Sequence, residues 1–243
     1  LSFAFHNASV ALKQLLLYSF QDDKEIEVIR YLNIASQFVR QLSDQSLFYV
    51  ADVISEELFI LEKSVKYDEA RKPLAYLKYI IADIKRMNND YDEAKRLFEE
   101  LLNENNLKHD QRLTCMECLG YMYYSLGDRS KAVEYAELML KECKKRDKNS
   151  MFIAKYIKAK NKDYETTEER IKVLNRLYTS LKKTNFRTVA VNTIMEIARY
   201  DYSQQTLNKI NYELKQTGIT SYDRMRLIAK KYTLMTSSKL AYN

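Results

Sequence analysis

The chain has 243 residues, with 40 Lys+Arg against 33 Asp+Glu for a formal net charge of +7, and only 3 Gly, 1 Pro and 3 Cys. So little Gly and Pro excludes a β-rich fold, which needs turn punctuation every few residues. It also leaves no glycine-rich phosphate loop of the G-x-G-x-x-G or Walker type. At 46% apolar and 12% aromatic, the chain can bury a core and is not a disordered segment.

The helical period then recurs along the chain. Residues 3–20 predict an apolar helix, broken at Gln21-Asp22-Asp23. Residues 24–42 follow, with Ile26, Ile29, Leu32 or Ile34, Phe38 and Leu42 on one side. Ser43 stands as an N-cap for a helix over 44–63, where Phe48, Val53, Ile54, Leu58 and Leu61 recur, and 64–72 is a connector. Pro73 suits a first helical turn, since its missing N–H has no partner there in any case. That helix runs to about Met87, and Asn88-Asn89-Asp90 turns the chain into a helix over 91–104. Helices near 110–126 and 129–145 come next. Thr166 with Glu169 forms a capping box for 167–183. Asn185 caps 186–200 and Ser203 caps 204–216. Gly218 ends that helix, and Thr220 with Asp223 opens the last one. The connections are short and no Pro/Gly/Ser linker divides the chain, so one continuous all-α array over 1–243 is expected.

Charge is uneven. Residues 1–140 carry a net −6, residues 141–183 a net +8 and residues 184–243 a net +5. The basic C-terminal part points to an anionic partner, nucleic acid among them. Against this stands the ordinary use of Lys and Arg on solvated faces and in last helical turns, as in Lys141-Glu142-Cys143-Lys144-Lys145-Arg146. No stretch of 18 apolar residues occurs, so no membrane span is expected. The start Leu1-Ser2-Phe3 has neither Met nor a basic segment, which predicts a fragment without a signal peptide. An odd number of cysteines in a Lys- and Glu-rich chain fits a reduced, cytoplasmic setting.

The informative pattern is a repeat. In residues 113–146, Met116, Leu119-Gly120, Tyr123, Gly127-Asp128, Ala132, Tyr135 and Leu140 stand at offsets that 75–106 repeats with Ile81-Ala82, Asn89-Asp90-Tyr91, Ala94, Phe98 and Leu102. Gly120 lies 38 residues after Ala82, and Ile197-Ala198 falls two further periods on. Gly120 and Ala132 are small enough for one helix of a pair to approach the other, and Gly127 permits the tight turn between them. These residues resemble the tetratricopeptide repeat (TPR) family. The match is carried by Leu119, Gly120, Tyr123 and Ala132 in the later unit and by Ala94 and Phe98 in the earlier one. The departures are Met116 and Lys78 for the family Trp, Lys85 for its Tyr, Lys144 and Asn106 for its Pro, and a period of about 38 rather than 34. Residues 1–70 and 147–243 read as degenerate repeats.

The resemblance implies a right-handed α-solenoid of antiparallel helix pairs, a TPR-like superhelix, because a single pair cannot bury its apolar face alone. It also implies a non-catalytic module that binds a peptide or protein segment in the concave groove. By the resemblance, such arrays serve as peptide-sensing or regulatory parts of larger bacterial-type regulators or as sensor arms on larger NTPases, and no residue of this sequence chooses between the two. The family's groove positions fall here on Tyr76, Tyr79, Asp83 and Arg86, then on Thr114, Glu117, Tyr121 and Tyr124, with Tyr156 and Asn192 extending the set. Tyrosine suits such a wall, since it offers flat apolar area with a hydroxyl tip at low entropy cost. An Asn there pairs with a peptide backbone through both its donor and its acceptor. An open solenoid end also admits self-association into a homo-oligomer.

Catalytic and metal chemistry find little material. Cys115-x-x-Cys118 has redox or zinc spacing, and Cys143 and His109 complete a conceivable set. Yet Cys115 and Cys118 lie where the repeat register already asks for apolar packing. With two histidines in the chain, no nucleophile has an evident base. Neighbouring acids such as Glu99-Glu100 and Glu168-Glu169 point to different helix faces. No enzyme, no cofactor and no metal are expected.

Overall fold

The computed structural model describes residues 10, 11, 14, 25–44, 47, 49, 51, 52, 68–104 and 106–240. The described residues form α-helices and no strand. They are α1 Glu25–Asp44, α2 Arg71–Met87, α3 Tyr91–Glu104, α4 His109–Ser125, α5 Arg129–Glu142, α6 Lys148–Asn161, α7 Thr167–Leu181, α8 Arg187–Ile197, α9 Gln204–Leu214 and α10 Ser221–Leu240. A 3-10 turn, Asp68–Ala70, leads into α2. None of these helices is long and apolar enough to cross a membrane. The expected helices 3–20 and 44–63 lie largely outside the described residues. The chain groups into two compact units, residues 1–115 and 116–243.

In the first unit α1 packs on α2 and α2 on α3. Pro73 sits in the first turn of α2, and Asn89 takes the left-handed φ of 64° in the turn that closes it. A short polar side chain suits that φ because it tolerates the crowding and bonds locally. Tyr91 receives the chain on the other side, and its hydroxyl donates to Asn89 Oδ1 at 3.0 Å. In α3, Ala94, Leu97, Phe98 and Leu101 are buried, the stripe that a helix with one inward face requires.

In the second unit successive helices pack from α5 to α10, and α8 also lies against α6 and α10. The turn into α5 uses Gly127 at φ +86°, and Asp128 accepts from the Lys131 N–H at 3.0 Å. Gly120 lies at a crossing of α4, α5 and α6. A Cβ on it would stand 3.2 Å from Ile157 Cγ2 and 3.7 Å from the Ala132 carbonyl oxygen. The alternate helices of this unit touch at a fixed chain separation. Tyr178 on α7 donates to Glu213 on α9 at 3.0 Å. On α8, Thr188 donates to Asp223 of α10 at 3.2 Å, while Asn192 accepts from Arg226 of α10 at 2.9 Å.

The pairing period continues beyond the two repeats that the sequence displays. Helices α2, α4, α6 and α8 begin at residues 71, 109, 148 and 187, and α3, α5, α7 and α9 at 91, 129, 167 and 204. The twelfth residue counted from the start of each first-of-pair helix is small and buried: Ala82, Gly120, Ala159 and Ala198. The second-of-pair helices lose their small residue after α5. The fourth position is Ala94 and Ala132, then Arg170 and Leu207.

Several local expectations need correction. Ser43 is no N-cap, because it lies inside the last turn of α1. Helix α5 ends at Glu142, so Lys144-Lys145-Arg146 lie in the turn beyond it, where Asp147 accepts from the Lys144 N–H at 2.8 Å. The sequence reading assigns no helix to 148–161, yet α6 fills it. The residue that caps α8 is Phe186, whose own N–H is taken by Thr184 Oγ1 at 3.3 Å, not by Asn185. Thr166, Ser203 and Thr220 do accept the N–H three residues on, at 3.1, 3.4 and 3.0 Å.

Candidate functional site

In the first unit, α2 presents Tyr76 and Tyr79 one turn apart. Their rings stack with centroids 6.3 Å apart and 15° between planes, and Tyr79 meets Phe98 edge-on at 6.3 Å. Arg40 of α1 donates to the Tyr76 hydroxyl at 3.1 Å. Both tyrosines line a cavity of about 720 Å³ whose wall also holds Arg40, Pro73, Gln111 and Thr114. Asp83 and Arg86, one turn further along α2, pair with each other. Two guanidinium N–H groups reach the same carboxylate oxygen at 2.7 and 2.9 Å. They are not part of that cavity wall.

In the second unit, Glu117, Tyr121, Tyr156 and Asn192 come from α4, α6 and α8 and line two cavities that share Asn192, while Tyr124 lines neither and meets the smaller one through Arg199 and Lys160. One, of about 430 Å³, is lined by Glu117, Tyr121, Asn149, Ile153, Thr188 and Asn192. The other, of about 160 Å³, is lined by Tyr156, Lys160, Asn192, Met195, Glu196, Arg199, Arg226 and Lys230. Asn192 belongs to both walls. Tyr124 stands over the smaller recess. Its hydroxyl accepts from Arg199 at 3.3 Å, and the Lys160 ammonium lies 3.5 Å from its ring centroid. Arg226 donates to Asn192 Oδ1 at 2.9 Å and to Asp223 at 3.0 Å. Arg199 pairs with Glu196 at 3.1 Å.

The electrostatics of these tyrosines divide accordingly. The bond from Arg199, followed by the Lys160 charge, holds the Tyr124 phenol below its ordinary value. Burial pushes Tyr121 up, reinforced by Glu117. Burial also pushes Tyr156 up, reinforced by Glu196. The Lys230 ammonium is held below its usual range, first by burial and then by the Arg199 charge.

Lys160, Met195, Arg199, Arg226 and Lys230 were not singled out in the sequence. The repeat register is the signal that finds three of them. Counted from each helix start, Tyr121 and Lys160 are the thirteenth residues of α4 and α6, Arg199 stands at the same count two residues past the end of α8, and Asn192 and Arg226 are the sixth residues of α8 and α10.

The cysteines are free thiols, Cys115 buried and Cys118 and Cys143 half-buried. Burial, then Asp147 and Glu142, raises the Cys143 thiol. Among the described residues no three His, Cys, Asp or Glu side chains converge as a metal-holding group.

No protein-family model matches the sequence, and no curated protein does. A solved structure does match: the crystal structure of nearly identical TPR-like repeats assigned to a kinesin light chain of Podosopora anserina. The TM-score is 0.53 at 15% identity, covering 87% of this chain and 97% of that one. At that identity the likeness concerns the fold alone. The chain has an all-α, TPR-like helical-repeat fold of the solenoid class.

Proposed function

We propose that the protein is a non-catalytic binding module whose first-of-pair helices capture an extended peptide or protein segment, as the sensor or regulatory part of a larger cytoplasmic regulator. The observation that carries this reading is the gathering of Glu117, Tyr121, Tyr156 and Asn192 around cavities of about 430 and 160 Å³ that share Asn192. Tyrosine rings supply apolar contact. Asn192 spends its carbonyl oxygen on Arg226, which leaves its amide nitrogen to donate to a peptide carbonyl. The mixed lining, with amide, hydroxyl and aromatic groups side by side, suits a polypeptide better than a small apolar ligand. The Tyr76–Tyr79 cavity of the first unit is a candidate contact surface of its own.

Selection from a displayed random-peptide library, followed by affinity measurement with Tyr79→Ala and Tyr121→Ala, tests the proposal. Removing an aromatic anchor is expected to cost about 1–2 kcal/mol, roughly a tenfold loss in affinity. Failure to select any peptide, or selected peptides that bind both variants unchanged, would remove the reading.

A further inference from the structure

The small recess of the second unit concentrates charge of one sign. Lys160 of α6, Arg199 just past the end of α8, and Arg226 and Lys230 of α10 line it. The nearby carboxylates are Glu196, which pairs with Arg199, and Asp223, which pairs with Arg226. The close partners of the two lysines are aromatic faces instead: Tyr124 for Lys160 at 3.5 Å and Tyr202 for Lys230 at 5.3 Å. Among the described residues, two positive charges are thus left without a compensating carboxylate, in a half-enclosed space where water screens them less than at an open surface. Such an arrangement lacks an anion. At about 160 Å³ the recess fits one compact anionic group. It adjoins, through Asn192, a larger cavity with the amides and hydroxyl of Asn149, Thr188 and Asn192, which match a peptide backbone.

The concentration of charge also argues against nucleic acid. A duplex or single strand presents phosphates at regular intervals and is met by a ladder of cations along a surface. Here the cations converge on one point, and Arg199 and Arg226 are already held by carboxylates. We infer that the recess bounded by Lys160, Arg199, Arg226 and Lys230 anchors an Asp or Glu side chain of an acidic peptide whose backbone lies along the Asn149–Thr188–Asn192 cavity. This inference rests on the peptide-binding reading above. Lys160 and Lys230 supply the charge, the Tyr124 hydroxyl and the Asn192 amide limit the geometry, and Tyr156 floors the site.

Fluorescence polarisation with labelled, C-terminally amidated hexaglutamate tests it, set beside amidated hexaglutamine, hexaglutamine with a free C-terminal carboxylate, and a thymidine hexanucleotide. Hexaglutamate is expected to bind, and Lys160→Glu/Lys230→Glu to weaken it by about tenfold or more. Lys144→Glu/Lys145→Glu carries the same charge change on exposed turn residues and is expected to weaken it less than about twofold. Thermal melts establish that both double variants fold. The inference is overturned if hexaglutamate fails to bind at low salt, if the turn variant loses as much as the recess variant, or if the oligonucleotide or the free-carboxylate hexaglutamine binds as tightly. Library-selected peptides that need Tyr121 but carry no enrichment in Asp or Glu would remove the carboxylate anchor and leave the groove standing. Hexaglutamate binding that needs the two lysines and ignores Tyr121→Ala would do the reverse.

Discussion

The same helix positions carry different chemistry in the two units. At the thirteenth residue from the helix start, α2 has Asp83, whereas α4 and α6 have Tyr121 and Lys160, and the same count from the start of α8 reaches Arg199. At the sixth residue, α2 has Tyr76, and α8 and α10 have Asn192 and Arg226. In the first unit Asp83 is answered locally, by Arg86 one turn further along α2 at 2.7 Å. The second unit leaves Lys160 and Lys230 against tyrosine rings. Small buried residues at the twelfth position recur in α2, α4, α6 and α8, so the repeat fixes where side chains stand and the register residues decide what chemistry they present. The charge imbalance along the sequence is therefore not evenly solvated. Part of it converges on one recess.

The two units also differ in how they bury polar groups, and the largest expected effect lies there. Glu213 is fully buried and accepts from Tyr178 at 3.0 Å and from Arg187 at 3.5 Å. Glu213→Ala leaves the Tyr178 phenol unpaired and the Arg187 guanidinium with no carboxylate, only its bond to the Thr184 carbonyl oxygen, and is expected to cost about 3 kcal/mol in urea unfolding. A loss under about 1 kcal/mol would mean that water reaches Arg187 readily, and the contrast in burial between the units would weaken. Next in size is Gly120→Leu, which drives a side chain into Ile157 and the Ala132 carbonyl and is expected to cost about 2 kcal/mol. Gly120→Ala should be near neutral, because the gain in helix propensity of about 1 kcal/mol offsets a contact of 3.2 Å to a side chain that can yield slightly. If Gly120→Leu were as mild, the α4–α6 crossing would be looser than drawn. The first unit supplies the smaller counterpart of Glu213. The Lys78 ammonium is buried and pairs with Glu104 at 2.8 Å, but Glu104 is about a third exposed. Glu104→Ala is expected to cost about 1 kcal/mol, since water can take over part of the carboxylate's role. Equal losses for Glu104→Ala and Glu213→Ala would erase the distinction.

Much of the framework was legible because local signals act within a few residues. Pro73, the Asn88–Asp90 turn and the hydroxyl caps at Thr166, Ser203 and Thr220 each work over one helical turn, and a single sequence carries them whole. Gly120 was legible because a glycine inside a helix is costly unless a neighbour approaches. Helix α6 was missed because it is packed between neighbours: Ile153, Ala154, Tyr156, Ile157 and Ala159 are buried around more than one side, so no single apolar stripe marks it. Its first turn gives no cap signal either, because the Asp147 carboxylate serves the preceding turn. Ala159, at the period of Gly120, was the residue that could have placed it. The tyrosines and Asn192 of the second unit were reachable through the register. The same register reaches Lys160, Arg199 and Arg226 but not Lys230, and it does not mark any of them as a site, because Lys and Arg on a helix read as solvated surface until the packing brings them together.

The smallest expected effect tests the recess most directly. Tyr124 accepts from Arg199 and lies under Lys160, so its phenolate is favoured and it should ionise below the ordinary tyrosine value of 10.0. Tyr121 and Tyr156, held neutral by burial, should ionise above it. Ring-carbon NMR between pH 8 and 12 would follow each one. Arg199→Gln should raise the Tyr124 value more than Lys160→Gln does, because the hydrogen bond from Arg199 is the larger cause. The stability linkage has opposite signs for the two groups. The depressed Tyr124 value gives stability that is present above the unfolded value near 10.0 and is lost as pH falls through its folded value. The raised values of Tyr121, Tyr156 and Tyr178 give stability that is full below the unfolded value and is lost as pH rises through their folded values. Tyr164 is raised by burial as well, so four raised phenols oppose one depressed one and the second unit should lose stability above about pH 10, with Tyr124 already ionised when the loss begins. A Tyr124 that titrates together with Tyr121 would mean that Arg199 and Lys160 do not converge on it, and the charge that distinguishes the second unit's recess would have no seat.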